Sequence, residues 1–285
     1  MAIAPGTRIA GYRLGRLLGS GNHGAVYLAE ELANGRAVAL KLVPLAAGPG
    51  PGSDPDGSAA GQQFLRHAAT AQGLKHPGIV ALHAAGVHGA HTGWLAMEPV
   101  PGSDLQRYTA AARLLPEALV MRLGARLAEA LAHAHALGVV HRDIKPANVL
   151  VHWPSDIVKL ADFGLARTAD AQATRTGLLL GSPGYMAPEQ LAGTVPDARS
   201  DFYALGVTLF QLLSGRLPFE GDTLGALLRQ VASSAAPDLR QMHPRLPAHV
   251  AGLVARLLSR HPDRRAETAA TLARELHAAG QALTR

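Results

Sequence analysis

The chain of 285 residues contains no cysteine, so no disulfide, thiolate metal centre or cysteine nucleophile carries its stability or its chemistry. That fits a reducing compartment. Aromatic residues make up only 4% of the chain, which leaves core volume largely to Leu, Val and Ala. No stretch approaches the roughly 20 apolar residues of a membrane span, and the N-terminus lacks the charged start and apolar region of a secretory signal. We therefore expect a cytoplasmic protein with no membrane span. There is no internal repeat. Formal net charge is +6, with cations mostly arginine, but no contiguous basic run singles out nucleic acid or an acidic membrane as partner. The 14 histidines fall into no zinc pattern. His133 and His135 project to different faces of a helix, which favours surface and core placements over a metal. What remains is a globular composition, 48% hydrophobic and 17% charged, long enough for one large domain or two lobes.

The most informative stretch is His141-Arg142-Asp143-Ile144-Lys145-Pro146-Ala147-Asn148, which gathers a histidine, two cations, a carboxylate and an amide. It follows an apolar-periodic helix over 118–137, ended by Gly138, and precedes the β-like Val149-Leu150-Val151, so it reads as a loop between helix and strand. Asp143 could act as a general base, Lys145 could neutralise a transferring phosphoryl group, and Asn148 could hold a hard metal ion through its amide oxygen. Alone, the octapeptide could still be a charged turn.

From the N-terminus, β-like runs over 12–18, 25–30 and 36–44 are broken by glycine and predict an antiparallel meander. Its first turn, Gly19-Ser20-Gly21-Asn22-His23-Gly24, lets backbone N–H groups approach phosphates. The spacing also suits a dinucleotide-binding turn or a plain hairpin, but a strand follows rather than a helix, which argues against the dinucleotide reading. In Val38-Ala39-Leu40-Lys41, a half-buried lysine needs an anionic partner, and a bound phosphate is one. A Gly/Pro/Ser/Asp-rich loop over 48–61 is followed by a helix over about 62–74 and strands near 79–82 and 94–97. Beyond Glu98-Pro99-Val100-Pro101-Gly102 the pattern turns mainly helical, and we place a lobe boundary there. A strand over 158–161 leads into Asp162-Phe163-Gly164, where a carboxylate at a strand end can bind magnesium. A polar segment over 168–181 reads as mobile surface. Helices follow, over 201–214 and over 253–283, the latter interrupted at His261-Pro262.

Taken together and in order, these motifs resemble a eukaryotic-like serine/threonine protein kinase catalytic domain of the kind common in bacteria. The resemblance implies an α+β, bilobal fold with a small β-rich N-lobe bearing one main helix (1–97) and a hinge and larger α-helical C-lobe (98–285). It implies ATP and Mg2+ as cofactors and Ser/Thr-bearing proteins as substrates. Gly19, Gly21 and Gly24 would cover the phosphates. Leu18, Val26 and Ala39 would lie above the adenine and Leu150 below it. Lys41 would contact the α- and β-phosphates, Met97 would be the gatekeeper, and the backbone of Glu98 and Val100 would pair with the adenine edge. Asp104 would reach the ribose or a basic substrate residue. Asp143 would accept the hydroxyl proton, Lys145 would neutralise the γ-phosphate, and Asn148 and Asp162 would hold magnesium. Thr174 and Thr176, ahead of Ser182, are the implied activating phosphosites, where a phosphate would pair with Arg142. Phe163 belongs to the Asp-Phe-Gly motif, Glu189 would pair with Arg265, and Asp201 would anchor the catalytic loop. Lysine two residues after Asp143, with Ser182 ahead of Tyr185-Met186-Ala187-Pro188-Glu189, resembles the serine/threonine rather than the tyrosine kinases.

One departure stands out. Ten residues before Pro77 the family has a helix glutamate that pairs with the strand lysine; here the residue is His67, and no Asp or Glu occurs over 57–97. Gln63 or Asp162 could hold Lys41 instead, or a regulatory protein partner could move the helix. The alternative is a weakly active or inactive kinase homologue that serves as a nucleotide-binding scaffold.

Overall fold

A computed structural model describes residues 3–21, 24–45, 58–163 and 183–284. Thr174, Thr176, Ser182, Gly164 and most of the Gly/Pro-rich loop lie outside the described residues. The chain divides into two compact units, with the change from one to the other between Pro101 and Gly102.

The first unit is a sheet with one helix. Its strands are β1 (Arg8–Ile9), β2 (Tyr12–Gly21), β3 (Gly24–Glu31), β4 (Ala37–Pro44), β5 (Leu82–His88) and β6 (Thr92–Met97), in the order β1-β2-β3-β4-β6-β5. All neighbours are antiparallel. The alternation along β4 decides what each face holds. Val38, Leu40 and Leu42 join Tyr12, Leu14 and Tyr27 in one apolar cluster. Ala39 and Val43 join Leu95, Met97 and the helix residues Phe64 and Ala68 in another. Helix α1 (Ser58–Gln72) thus covers the face that also carries Lys41. The strand expected near 79–82 begins at Leu82 and runs to His88 instead. Its sequence, Leu-His-Ala-Ala-Gly-Val-His, is half-buried at every position but the last, so period-2 alternation is weak there. The helix likewise begins earlier than the expected residue 62.

The second unit holds a small sheet, β7 (Ser103–Asp104), β8 (Val149–His152) and β9 (Ile157–Leu160), paired in that order. Its helices are α2 (Glu117–Ala136), α3 (Pro188–Leu191), α4 (Ala198–Ser214), α5 (Leu224–Ser233), α6 (Leu239–Met242), α7 (Ala248–Leu257) and α8 (Ala269–Ala282). Helix α4 is buried over most of its length, because it runs through the centre. Asp197 caps its first turn by accepting from the Arg199 N–H, and Gly215 at φ 76° ends it. Gly124 in α2 lets Leu209 of α4 and Leu276 of α8 approach closely; a Cβ there would lie 3.0 Å from Leu209 Cδ2.

Glycines of the first hairpin differ in what they permit. Gly24 sits at φ 114°, and a Cβ on it would lie 1.9 Å from the Leu42 carbonyl oxygen, whereas a Cβ on Gly19 or Gly21 meets nothing within 4 Å. Gly24→Ala is therefore expected to destabilise the domain by more than about 2 kcal/mol, through backbone strain and a clash with the neighbouring strand. Gly19→Ala should leave the melting temperature unchanged. Thermal unfolding of the two variants beside the wild type checks this contrast.

Candidate active site

The loop between α2 and β8 is held from below by a buried carboxylate. Asp201, in the first turn of α4, is fully buried. Its Oδ2 accepts the His141 N–H at 2.9 Å, and its Oδ1 accepts the Arg142 N–H at 2.8 Å. His135 Nε2 lies 2.8 Å from Oδ2. Backbone N–H groups that would be orphaned inside the protein are thus satisfied by charge-assisted bonds. They fix Arg142 in the left-handed region at φ 72°, a conformation disfavoured for a residue with a side chain.

On this support the reactive groups converge. Lys145 Nζ donates to Asp143 Oδ1 at 2.9 Å and to Oδ2 at 2.7 Å. Asn148 Nδ2 donates to the Asp143 carbonyl at 2.7 Å and to Oδ2 at 2.9 Å. Asp143 is thereby held in one orientation, and the nitrogen of the Asn148 amide is committed to it, so the amide oxygen points elsewhere. His141, fully buried, contacts the Ala161 carbonyl through Nε2 at 2.8 Å and packs edge-on to the Phe163 ring at 4.5 Å. This ties the loop to the end of β9, where Asp162 is again left-handed at φ 66°. Asn148 and Asp162 offer an amide oxygen and a carboxylate, a hard donor set. It suits Mg2+, which takes one or two protein oxygens and fills the rest of its shell with phosphate and water. Among the described residues no cluster of three or more His, Cys, Asp or Glu could cage a metal alone.

Leu150 lies in the middle strand of the small sheet, opposite Asp104 on one side and Lys159 on the other. Asp104 caps the following turn by accepting from the Gln106 N–H. Tyr185, whose hydroxyl donates to Gln211 Oε1, is pushed up to about 12: burial raises it, the Gln211 bond opposes, and the charge of Asp143 adds to the rise.

In the first unit Lys41 is only 5% exposed, more buried than its sequence context suggested. It lies between Val26 on β3 and Leu95 on β6. His67, three residues after Phe64, shares that residue's side of α1 and is half-buried. Ala39 and Met97 are buried and Val26 half-buried, whereas Leu18 is exposed. The β2–β3 pairing continues from Gly19 opposite Val26 to Gly21 opposite Gly24, so the glycine-rich turn is a hairpin. Glu98 and Val100 follow β6 and are half-buried.

Glu189 and Arg265, far apart in sequence, meet in the second unit. Arg265 Nη1 and Nη2 donate to Glu189 Oε1 and Oε2 at 2.7 and 2.9 Å. Arg265 also donates to the Arg199 and Ser259 carbonyls and stacks over Tyr203. Ser200 Oγ donates to Glu189 as well. Sequence reasoning missed His135 as a partner of Asp201 and missed Ser200. The only local signal was a polar residue on an inward helix face. Burial opposes ionisation of Glu189, but the bonds from Arg265 and Ser200 and a backbone bond outweigh it and hold its carboxyl below the ordinary value. The stability it contributes is therefore present above its unfolded value of about 4.3 and is lost as pH falls through the lower folded value. Glu189→Gln is expected to destabilise the neutral protein by about 2 kcal/mol and to lose less further stability than the wild type below about pH 4.3. Denaturant unfolding from pH 7 to pH 3 measures both.

A protein-family model described as the protein kinase domain matches residues 12–276. Among curated proteins, the chain is 34% identical over 266 residues to the serine/threonine-protein kinase PrkC of Bacillus subtilis, covering 93% of this chain and 40% of that protein. It is 38% identical over 288 residues to the serine/threonine-protein kinase PknJ of Mycobacterium tuberculosis, covering 99% of this chain and 47% of that protein. The chain thus spans less than half the length of these relatives. The crystal structure of the Mycobacterium tuberculosis PknI kinase domain superposes with a TM-score of 0.75 at 30% identity, covering 98% of this chain and all of that one. By fold, by motif order and by this match over most of its length, the chain belongs to the protein kinase domain family, of the kind found in bacterial serine/threonine-protein kinases.

Proposed function

We propose that this domain transfers the γ-phosphoryl group of ATP to Ser or Thr hydroxyls of proteins, its own Thr174 and Thr176 among them. The observation that carries the reading is the Asp143 carboxylate, gripped by Lys145 and Asn148 on a loop whose backbone is pinned by Asp201. An acceptor hydroxyl placed against Asp143 gives up its proton to that carboxylate as its oxygen attacks phosphorus. Lys145 swings between the carboxylate and the phosphoryl oxygens and offsets the charge that spreads over them. Lys41 holds the α- and β-phosphates, and the glycines at 19 and 21 let main-chain N–H groups approach without a Cβ in the way. Asn148 through its amide oxygen and Asp162 through its carboxylate would hold Mg2+, which would supply neutralisation of phosphate charge. Little covalent work falls to the protein, so positioning supplies the rate.

A second reading has one observation in its favour. His67 stands where the family has a helix glutamate, and on that reading the domain serves as a nucleotide-binding scaffold with weak or no transfer. The first reading is preferred because Lys41, Asp143, Asn148 and Asp162 are all retained.

Incubation with labelled ATP and Mg2+ should label the protein or a basic model substrate on Ser or Thr, and mass spectrometry should find phosphate on Thr174, Thr176 or both. Asp143→Asn should lower the rate by about 10²- to 10⁴-fold, the usual contribution of a positioned base. Equal labelling in wild type and Asp143→Asn would remove the assignment and favour the scaffold. Phosphotyrosine as the main product would instead defeat the substrate class.

The His67 position makes a separate demand. A lysine lacking its glutamate partner is held less firmly, and one charged hydrogen bond of roughly 1.5–3 kcal/mol corresponds to about 10- to 150-fold in rate. His67→Glu is expected to raise kcat/KM within that range, with ATP binding intact. A value unchanged or lower would point to Gln63 or Asp162 as the native support of Lys41.

A further inference from the structure

Only 4% of the chain is aromatic, and among the described residues every aromatic side chain but one is buried or half-buried. The exception is Trp153, 38% exposed. It opens the short turn Trp153–Ser155 that follows β8, and the turn Leu105–Tyr108 that follows β7 brings Tyr108 back to it. The indole Nε1 donates to the Tyr108 hydroxyl at 2.7 Å, and the two rings stand edge to face with centroids 5.7 Å apart. Both turns are fixed from within the second unit. Leu105 is fully buried, Asp104 accepts the Gln106 N–H at 2.9 Å, and Thr109 Oγ1 donates to the Gln106 carbonyl at 2.8 Å. On the other turn Asp156 is left-handed at φ 47°. Arg126 holds it there, donating to its carboxylate at 2.8 Å and to its carbonyl at 2.7 Å. An aromatic surface so anchored loses little conformational freedom when something binds to it.

We propose that Trp153, Tyr108 and Arg107 form a docking surface for an acidic, proline-containing protein segment in the extended polyproline II conformation. Each group selects one part of that ligand. The exposed indole offers an apolar face on which a proline ring packs. The Tyr108 oxygen accepts from the indole and makes no other hydrogen bond among the described residues, so its own hydrogen is left for an acceptor from outside. A polyproline II segment supplies such acceptors, because its carbonyls have no internal partners. Arg107 is exposed, lies over the Tyr108 ring at 5.7 Å and donates to the neutral Ser103 hydroxyl at 3.2 Å. It makes no ion pair among the described residues, and the carboxylate of the neighbouring turn, Asp156, is already paired with Arg126. Arg107 thus attracts a carboxylate, and by covering the ring face it repels a basic segment from the place a cation would take. An added β-strand is a poorer fit, since β8 is the middle strand of its sheet and has no open edge beside Trp153. The surface lies outside the catalytic loop: the four residues of β8 separate Asn148 from Trp153, roughly 13 Å at about 3.3 Å per residue.

Fluorescence anisotropy of a labelled synthetic peptide of repeating Pro-Pro-Glu tests this without nucleotide, and so independently of the kinase reading. Peptides of repeating Pro-Pro-Lys and Gly-Ser-Glu, equal in length, are the controls for charge and for proline. The protein should bind Pro-Pro-Glu about tenfold more tightly than either control. Trp153→Ala should weaken that binding by about tenfold or more, as the loss of a central aromatic anchor does. Arg107→Glu, at an exposed position without an ion pair, should leave the melting temperature unchanged and reverse the charge preference, so that Pro-Pro-Lys binds more tightly than Pro-Pro-Glu. Because a misfolded protein would not reverse a preference, this variant decides the matter even if Trp153→Ala does not fold. Equal affinity for the three peptides, no saturable binding of Pro-Pro-Glu, or an unaltered charge preference in Arg107→Glu overturns the proposal. Tighter binding of an oligothymidine strand than of Pro-Pro-Glu overturns it in favour of a surface that stacks nucleic-acid bases.

Discussion

The second unit depends on one buried anion. Asp201 carries its charge where no water reaches it, and such a charge survives only when its lone pairs are filled by donors. Those donors are the main chain of the His141–Arg142 segment and the ring of His135. The requirement runs both ways. The carboxylate needs the loop in one conformation, and the loop, with Arg142 held at positive φ, needs the carboxylate to keep it there. Strain at a reactive loop and a buried charge in the central helix offset each other, and the geometry of Asp143, Lys145 and Asn148 follows from that balance.

The same logic organises the first unit on a smaller scale. β4 alternates strictly between a face that closes against β2 and β3 and a face that takes α1. Lys41 occurs on the second face among apolar neighbours, and only a strand whose other positions are well buried can carry a lysine so far from water.

Much of this was legible in the sequence because the informative residues are close together along the chain. The octapeptide from His141 to Asn148 and the glycine hairpin keep their polar and glycine residues within a few positions of each other, so spacing read together with the family resemblance suggested how they meet. The strands β2, β3 and β4 were found for a similar reason, namely alternation. The start of β5 was not, since Ala84, Ala85 and Gly86 give no amphipathic contrast. His135 was weighed only as a surface or core histidine, because its partner is 66 residues away.

The Glu189–Arg265 pair spans 76 residues of sequence, and it sets a timetable for the chain as it leaves the ribosome. Until Arg265 has emerged, Glu189 and the Arg199 carbonyl lack the guanidinium that closes on them, and until α8 has emerged, the face of α2 around Gly124 and Met121 lacks the cover that Leu276 and Gly280 give it. The first unit can close while the rest is still being made, since its strands and helix are all drawn from the first third of the chain. The second unit completes itself only once α8 has emerged. During that interval α4, apolar over most of its surface, is the segment with the most to gain from a chaperone, because long-range closure is the slow step and exposed apolar surface is what aggregates.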